Sequence, residues 1–153
     1  MLKPDALERN LVYPIFNILL QSGLILSALN LTVATSKIIT QHYNKQIVIG
    51  GQHSLDRMND YYIGKPVLVS IFEGDGAINK ARKMIGNTDP AKSSPGTIRG
   101  DWGIDSFEAA DYEHRSCRNL IHGSDTLDNS IREIKLWFPD YPIENYVSTQ
   151  GEK

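Results

Sequence analysis

The spacing of apolar residues changes along the first part of the chain from helical to alternating. Apolar side chains recur three and four positions apart at Val12, Ile15, Phe16, Leu19 and Leu20. This spacing predicts an amphipathic helix that ends near Gly23. The alternation over residues 29–33 predicts a half-buried strand. Ser36 can cap a short helix that runs through Tyr43, and a second helix is predicted over residues 54–62.

Apolar residues further along the chain predict two more strands and two more helices. Residues 66–72 form a continuous β-branched apolar run, which predicts a buried strand, and residues 77–85 return to helical spacing. Residues 120–122 have strand character, and residues 127–134 predict a last helix that Ser124 or Asp125 can cap. Residues 87–100 form a long loop of the kind that more often carries function. Alternating strands and helices favour a two-layer packing.

The composition of the chain fits one compact domain. Its 153 residues are 41% hydrophobic and 22% charged, which supplies enough apolar material for a single core.

The net charge of -2 gives no general attraction for nucleic acids or anionic membranes. Cys117 is the only cysteine, which excludes an internal disulfide. Because no apolar run reaches the roughly 18 residues of a membrane helix, we expect a cytoplasmic protein without membrane contact.

The densest polar cluster surrounds His122, which ends the apolar run of residues 120–122. Gly123 allows the backbone to turn there, and a helix is predicted to follow. A neutral imidazole at such a position can attack an electrophile, and the adjacent helix N-terminus favours an incoming phosphate. A lone histidine at the edge of a core is nevertheless more often structural.

A second cluster places Arg99 in a turn between residues that allow close approach of the backbone. Together with Arg82 and Lys3, it could hold a polyphosphate. Scattered surface cations are the commoner explanation for such residues, and their spacing does not decide between the two.

Four motifs in this order resemble the nucleoside diphosphate kinase family. They are Lys3-Pro4-Asp5 with Arg9, Asn87-Thr88-Asp89-Pro90-Ala91, Pro95-Gly96-Thr97-Ile98-Arg99-Gly100-Asp101 and Asn119-Leu120-Ile121-His122-Gly123-Ser124-Asp125. The resemblance extends from residue 3 to about residue 138. It implies an α+β fold, a ferredoxin-like two-layer α/β sandwich with an antiparallel sheet. Residues 1–138 would form the kinase-like domain, and residues 139–153 a tail that packs on the same domain.

The resemblance assigns the nucleophile to His122, which would accept the γ-phosphate of a nucleoside triphosphate and pass it to a nucleoside diphosphate by ping-pong kinetics. Glu133 matches the family glutamate that bonds the other imidazole nitrogen. The remaining residues of the catalytic set are Lys3, Tyr43 and Ser124. Phosphate and sugar binding is implied for Lys3, Arg82, Thr88, Arg99 and Asn119.

The resemblance also implies a cofactor and an assembly. Mg²⁺ would bridge the nucleotide phosphates and be held mainly by them, with no metal-binding residues of the protein. A homo-oligomer, either a hexamer or a tetramer, is implied by the loop around Pro90.

Three features depart from the family pattern. The first strand is expected to be truncated, because only Met1 and Leu2 precede Lys3. Residues 44–65 lack a clear match to the family segment that clamps the base, and Met58 is a weak candidate for that contact. About ten extra residues between Arg99 and Asn119 are expected to form a solvated loop, a lid or a subunit contact. These departures leave open an alternative, a non-catalytic nucleotide-binding or assembly protein on the same fold.

Overall fold

The computed structural model describes residues 1–143, in which two strands are each preceded by a pair of helices and the second is followed by further helices. The elements are α1 (Pro4–Glu8), α2 (Val12–Gln21), β1 (Ile25–Val33), α3 (Ser36–His42), α4 (Asn44–Tyr62), β2 (Pro66–Glu73), α5 (Ala77–Ile85), a 3₁₀ turn (Pro90–Lys92), α6 (Ile98–Trp102), α7 (Phe107–Tyr112) and α8 (Leu127–Trp137). Among residues 1–143, none of the helices combines the length and apolar character that crossing a bilayer requires.

The sheet is built on the antiparallel pair β1 and β2, in which Leu31 lies opposite Leu68. On the other side of β2, Leu2 forms single antiparallel bridges to Leu68 and to Ile121. Leu2 therefore occupies the place between two neighbours that a central strand would fill. The strand predicted at residues 120–122 is wrong, because this segment pairs with Leu2 through only one bridge, at Ile121.

Side chains of β2 alternate between two apolar clusters, because successive residues of a strand point to opposite faces. Leu68 packs with Leu2, Ala6, Ile15, Leu19, Ile85, Ile98, Leu120 and Ile121. Val67 and Val69 pack instead with Ala34, Ile39, Tyr43, Tyr61, Tyr62 and Trp137. Apolar residues are thus needed on both faces of β2, which explains why successive residues 67–69 and 71–72 are apolar. The layer formed by α2 and α5 covers one face, and α3, α8 and the end of α4 cover the other.

Hydroxyl side chains begin four of the helices. Thr35, Thr97, Ser106 and Thr126 each accept a hydrogen bond from a main-chain N–H in the first turn of the helix that follows. The sequence pattern favoured Ser36 and either Ser124 or Asp125 as caps. The structure instead places the caps at Thr35 and Thr126, because both have the extended backbone that directs a side chain towards the helix N-terminus.

The helix predicted over residues 54–62 is part of the longer α4. Gly51, with a φ of 61°, bends this helix near its middle, and glycine adopts this backbone region without a steric penalty. Val48 and Ile49 in the first half are 83% and 88% exposed. The exposed apolar residues explain why helical periodicity did not mark this half of α4.

The extra residues between Arg99 and Asn119 contain a short helix, α7, rather than a plain loop. Asp105 closes this segment, because its carboxylate accepts hydrogen bonds from the Arg115 guanidinium at 2.9 Å and from the main-chain N–H of Arg118 at 2.8 Å. Arg57 of α4 donates to Asp111 of α7 at 2.7 Å. The insertion is therefore fastened both at its base and against α4.

The chain after α8 continues onto the same domain. Tyr141 donates a hydrogen bond to the carboxylate of Glu73, and Ile143 is buried. The predicted tail extends to residue 153, and residues 144–153 lie outside the part of the chain that the structure describes.

The hydrogen bonds that Asp105 accepts in the insertion predict that the free energy of unfolding depends on pH. Burial alone would raise the pKa of Asp105, but hydrogen bonds from Arg115 and from the N–H groups of Arg118 and Ser106 outweigh it and lower the pKa to about 2. This stabilisation is complete above the ordinary carboxyl pKa near 4 and is lost as the pH falls towards 2. We expect Asp105→Asn to lower the free energy of unfolding by about 1 kcal/mol at pH 6, as measured by urea denaturation. The difference from wild type should shrink below pH 4, whereas a constant difference would contradict the assignment.

Candidate active site

Main-chain pairing with the start of the chain positions His122. The His122 N–H donates to the carbonyl of Met1 at 2.8 Å, and the Met1 amino group donates to the carbonyl of His122 at 2.9 Å. Two residues earlier, Leu120 has a φ of 67°, an uncommon conformation for a branched residue that turns the backbone sharply here. The side chain of His122 keeps 22% of its surface exposed. The ring is therefore packed on one side and can be reached from solvent on the other.

Glu133 of α8 fixes the proton on the His122 ring. Its Oε2 lies 2.8 Å from Nε2 of His122, and an ionised carboxylate can only accept hydrogen bonds. Nε2 of a neutral ring must therefore carry the proton, which leaves a lone pair on Nδ1. The same Oε2 accepts from the Ser124 hydroxyl at 2.7 Å, and Oε1 accepts from Arg132 at 3.2 Å. These two donors hold the carboxylate in place.

Burial keeps the His122 ring neutral near pH 7. It lowers the pKa of His122 below that of an ordinary histidine, although the hydrogen bond and the charge of Glu133 act in the opposite direction. The charge of Lys3, and that of the Met1 amino group when it is protonated, lower it further. The pKa of Glu133 is also lowered, because hydrogen bonds from His122 and Ser124 outweigh the effect of its burial. A neutral imidazole beside an ionised carboxylate is the arrangement that a nitrogen nucleophile requires.

Lys3 points its ammonium group towards three aromatic rings. Nζ lies 5.8 Å from the ring centre of Tyr43, 5.9 Å from that of Tyr61 and 5.8 Å from that of Tyr62. Burial, followed by the positive charge of Arg99, lowers the pKa of Lys3 to about 8. Lys3 is thus mostly charged at neutral pH, and its charge is held by ring faces rather than by a direct ion pair.

Arg99 joins two segments of main chain. Its guanidinium donates to the carbonyls of Asn119 and Ile121 at 3.0 and 2.5 Å, and to those of Gly86 and Asn87 at 3.3 and 3.1 Å. These contacts use four of the five N–H groups of the side chain. Burial, followed by the charge of Arg82, lowers the pKa of Arg99 to about 10, so the side chain remains charged. One N–H of Nη2 is not used by these four contacts.

The other predicted binding residues surround Asn119, which is 4% exposed. Its amide nitrogen donates to the carbonyl of Thr88 at 2.8 Å, whereas its Oδ1 is buried without a hydrogen-bond partner. A buried acceptor of this kind favours a ligand that brings a donor. The side chains of Thr88 and Arg82 are exposed, and Arg82 lies close enough to Arg99 to affect its pKa.

Tyr43 lies behind the His122 ring. Its hydroxyl is 2.7 Å from that of Tyr62, its ring centre is 5.8 Å from that of His122, and burial raises its pKa above that of an ordinary tyrosine. Met58, the weak candidate for base contact, packs against the second apolar cluster. The structure thus gathers His122, Glu133, Ser124, Tyr43 and Lys3 in one place, with Arg99 and Asn119 beside them.

His42 is a residue of the site that the sequence did not predict. This residue is 3% exposed, and its ring centre lies 4.4 Å from that of His122. The only signal in the sequence was its position directly before Tyr43. Helical spacing treats a histidine at the end of α3 as an ordinary packing residue, so only the tertiary structure reveals this contact.

One group of potential metal ligands occurs here within residues 1–143. His42, His122 and Glu133 offer atoms that lie within 4.8 Å of one another. The indole N–H of Trp137 donates to Nδ1 of His42 at 3.1 Å, so a neutral His42 carries its proton on Nε2. A metal at Nε2 would have to displace that proton or move it to Nδ1, opposite another N–H. The three residues therefore do not fit a resident metal ion.

Comparisons with known proteins agree with this geometry. The sequence profile of the family described as nucleoside diphosphate kinase matches residues 1–143. The nucleoside diphosphate kinase of Saccharomyces cerevisiae is 35% identical over 150 residues, covering 98% of this chain and 90% of that protein. Nucleoside diphosphate kinase 1 of Glycine max is 37% identical over 150 residues, covering 98% of this chain and 91% of that protein.

Solved structures of nucleoside diphosphate kinases share the fold. A transition state mimic of the Borrelia burgdorferi enzyme with bound vanadate and ADP superposes with a TM-score of 0.85 at 28% identity, covering 95% of this chain and 92% of the other. An NDP kinase from Pyrobaculum aerophilum gives a TM-score of 0.81 at 30% identity, covering 91% and 93%. The antiparallel α/β fold agrees with both likenesses. The chain belongs to the nucleoside diphosphate kinase family, whose members transfer a γ-phosphate between nucleotides through a phosphohistidine.

Proposed function

We propose that Nδ1 of His122 is the atom that carries the phosphoryl group between nucleotides in this protein. The observation behind this assignment is the contact between Nε2 of His122 and Oε2 of Glu133, at 2.8 Å. It holds the proton on Nε2, so the lone pair is on the other ring nitrogen. The half-buried ring keeps part of its surface open to an incoming nucleotide.

The transfer takes place in two steps that mirror each other. The lone pair of Nδ1 forms a bond to the γ-phosphorus of a nucleoside triphosphate, and the bond from that phosphorus to the bridging oxygen breaks. The electron pair leaves with the nucleoside diphosphate, and no proton is transferred. In the second step, a terminal oxygen of an acceptor diphosphate attacks the phosphorus and the N–P bond breaks. Glu133 stabilises the positive charge that develops on the ring during the first step.

Three cations neutralise the polyphosphate in this proposal. Lys3 and Arg99 lie beside the segment that carries His122, and Arg82 of α5 lies close to Arg99. Transfer through a loose transition state depends on positioning and charge stabilisation, which such side chains provide. We assign the unpaired Oδ1 of Asn119 to a sugar hydroxyl, because that buried atom lacks a donor. Thr88, Tyr43 and Ser124 complete the proposed set.

Mg²⁺ would be brought by the nucleotide in this proposal. Three carboxylates next to the site are already engaged: Glu133 by His122, Ser124 and Arg132, Asp5 by Tyr61 and the N–H of Leu120, and Asp125 by Asn129. The residues present fit an ion that is held by phosphate oxygens and not by a cage of protein ligands. When bound, the ion supplies neutralisation of the phosphate charge.

The role of His122 can be tested by phosphorylation. Incubation with γ-labelled ATP should place acid-labile, alkali-stable label on the wild-type protein, and His122→Ala should lose both the label and more than about 99.9% of the transfer activity. His114→Ala, a change at an exposed histidine of the insertion, is the control. Nucleotide that protects the wild-type protein against heat without any transfer would favour the non-catalytic alternative.

The pKa of Lys3 predicts how binding depends on pH. Because that pKa is lowered to about 8, Lys3 loses its charge as the pH rises through 8, earlier than an ordinary lysine. We expect the KM for nucleoside triphosphate to rise several-fold between pH 7 and 9, while Lys3→Arg should keep a nearly constant KM over this range. Initial-rate measurements would check this. An equal rise in both proteins would show that another group is responsible.

We further propose that the protein is a homo-oligomer in which β1 forms a contact between subunits. β1 is an edge strand of the described sheet, and Ile25, Leu29, Leu31 and Val33 are between 51% and 66% exposed. An apolar edge strand is prone to pair with another chain unless it is covered. A second copy of the same strand would cover both the side chains and the free main-chain groups.

A charged residue in β1 should break this assembly. We expect Leu31→Asp to reduce the sedimentation-equilibrium mass to that of a smaller species, because a buried carboxylate without a partner costs several kcal/mol. Leu127→Asp, at an exposed apolar position on α8, serves as the control and should keep the wild-type mass. A wild-type protein with the mass of one chain would refute the oligomer.

A further inference from the structure

We propose that His42 is a positioning residue for His122. Its neutral imidazole is held in one tautomer and packs edge-on against the ring of the nucleophile, so that the ring keeps one orientation and is shielded from water on that side. This inference rests on the proposed role of His122. It adds a residue from α3 to a site that the sequence motifs place on the His122 segment and α8.

The contact between the two histidines is close and has a defined geometry. Their ring centres are 4.4 Å apart, with the planes at 75°. The ring of Tyr43 meets that of His42 at 4.5 Å and 90°, and the ring of Trp137 lies at 5.8 Å. Edge-to-face pairs at these distances are attractive and fix the relative orientation of the rings. The ring of His42 is thus held between those of Tyr43 and Trp137, and its remaining side contacts His122.

Trp137 selects the tautomer of His42. An indole N–H can only donate, and it lies 3.1 Å from Nδ1 of His42. The proton of the neutral ring is therefore on Nε2, which is buried and has no hydrogen-bond partner among residues 1–143. A side chain chosen only to fill the core would avoid the cost of that unpaired N–H. The polar ring at this position therefore indicates a role beyond packing.

The surroundings of His42 disfavour its charged form. Burial lowers the pKa of His42 well below that of an ordinary histidine. A charge on His122 or on the Met1 amino group would act in the same direction, as the charges of Arg132 and Lys3 do. Arg132 also donates to the main-chain carbonyl of His42 at 3.2 Å and to Glu133 at 3.2 Å. The end of α3 is thereby tied to the carboxylate that orients His122.

A neutral ring at this position affects the nucleophile through solvation. The groups next to His122 are Glu133 from α8, Lys3 and the amino group of Met1 from the start of the chain, and His42 and Tyr43 from the end of α3. Arg132 and Ser124 act on it through Glu133. Removing part of the His42 ring would admit water and relieve the burial that keeps His122 neutral. His122 would then remain protonated, and therefore unreactive, up to a higher pH.

The test compares two substitutions of His42 in the full-length protein. His42→Asn keeps an oxygen near the position of Nδ1 to accept from Trp137, but it removes the outer half of the ring. His42→Phe keeps a ring against His122 but leaves Trp137 without its acceptor. The titration of His122 is followed by NMR without nucleotide, and single-turnover phosphorylation by γ-labelled ATP is measured over the same pH range.

We expect His42→Asn to move the titration midpoint of His122, and the acid limb of phosphorylation, to higher pH towards the ordinary histidine value of about 6.5. Phosphorylation at neutral pH should slow by about tenfold, because a nucleophile that is not held in one orientation loses much of its advantage. His42→Phe should keep both midpoints near those of wild type while lowering the melting temperature. His114→Asn is the matched control and should change neither midpoint.

A midpoint and rate in His42→Asn equal to those of wild type would overturn the proposal, since a merely structural residue would change only the folded fraction. Should His42→Asn fail to fold, Trp137→Phe tests the same idea, because it removes the hydrogen bond that keeps His42 in one tautomer. Slower phosphorylation by folded protein would then support the proposal, and an unchanged rate would refute it. A wild-type protein that transfers no phosphate would defeat the proposed function, while the NMR titration would still decide the effect of His42 on His122.

Discussion

The hydrogen bond between Nε2 of His122 and Oε2 of Glu133 determines which ring nitrogen can react, and the elements around it serve to hold its two ends. Main-chain pairing with Met1 fixes the histidine end, and the cap at Thr126 sets where α8 begins and so where Glu133 lies. Ser124 and Arg132 fasten the carboxylate. A carboxylate that was free to rotate would also allow the proton to move to Nδ1, and the lone pair would then face away from a phosphate.

Positive charge is concentrated near this bond, although burying like charges together is costly. The structure offsets that cost in different ways for the two buried cations. Arg99 donates to four main-chain carbonyls, so it holds the loop at Gly86 and Asn87 against the His122 segment while remaining charged. Lys3 faces three aromatic rings and has a pKa lowered to about 8. The same residues therefore support the fold and, in the proposed function, provide the positive charge that a polyphosphate requires.

Local sequence predicted the elements whose burial is regular. The helical spacing of residues 12–20 and the apolar run of β2 agree with α2 and β2, because each packs against a cluster along its whole length. The pattern failed where exposure or backbone conformation is irregular. Exposed Val48 and Ile49 and the bend at Gly51 hid the first half of α4. The segment that forms α7 was expected to be a loop. Contacts of Asp105 and Arg57 with other segments stabilise the helix, and local spacing does not reveal them.

The sequence by itself determined the family, and it predicted the nucleophile and the residues expected to bind phosphate, because these depend on residue types in a set order. Tertiary structure alone decided how they act together. It placed Leu2 between two segments with one bridge to each, turned Arg99 towards main-chain carbonyls and brought His42 against both His122 and Trp137. These contacts join residues that lie up to 119 positions apart, as Leu2 and Ile121 do. Local spacing carries no information about such contacts, since they depend on how separate elements pack around one core.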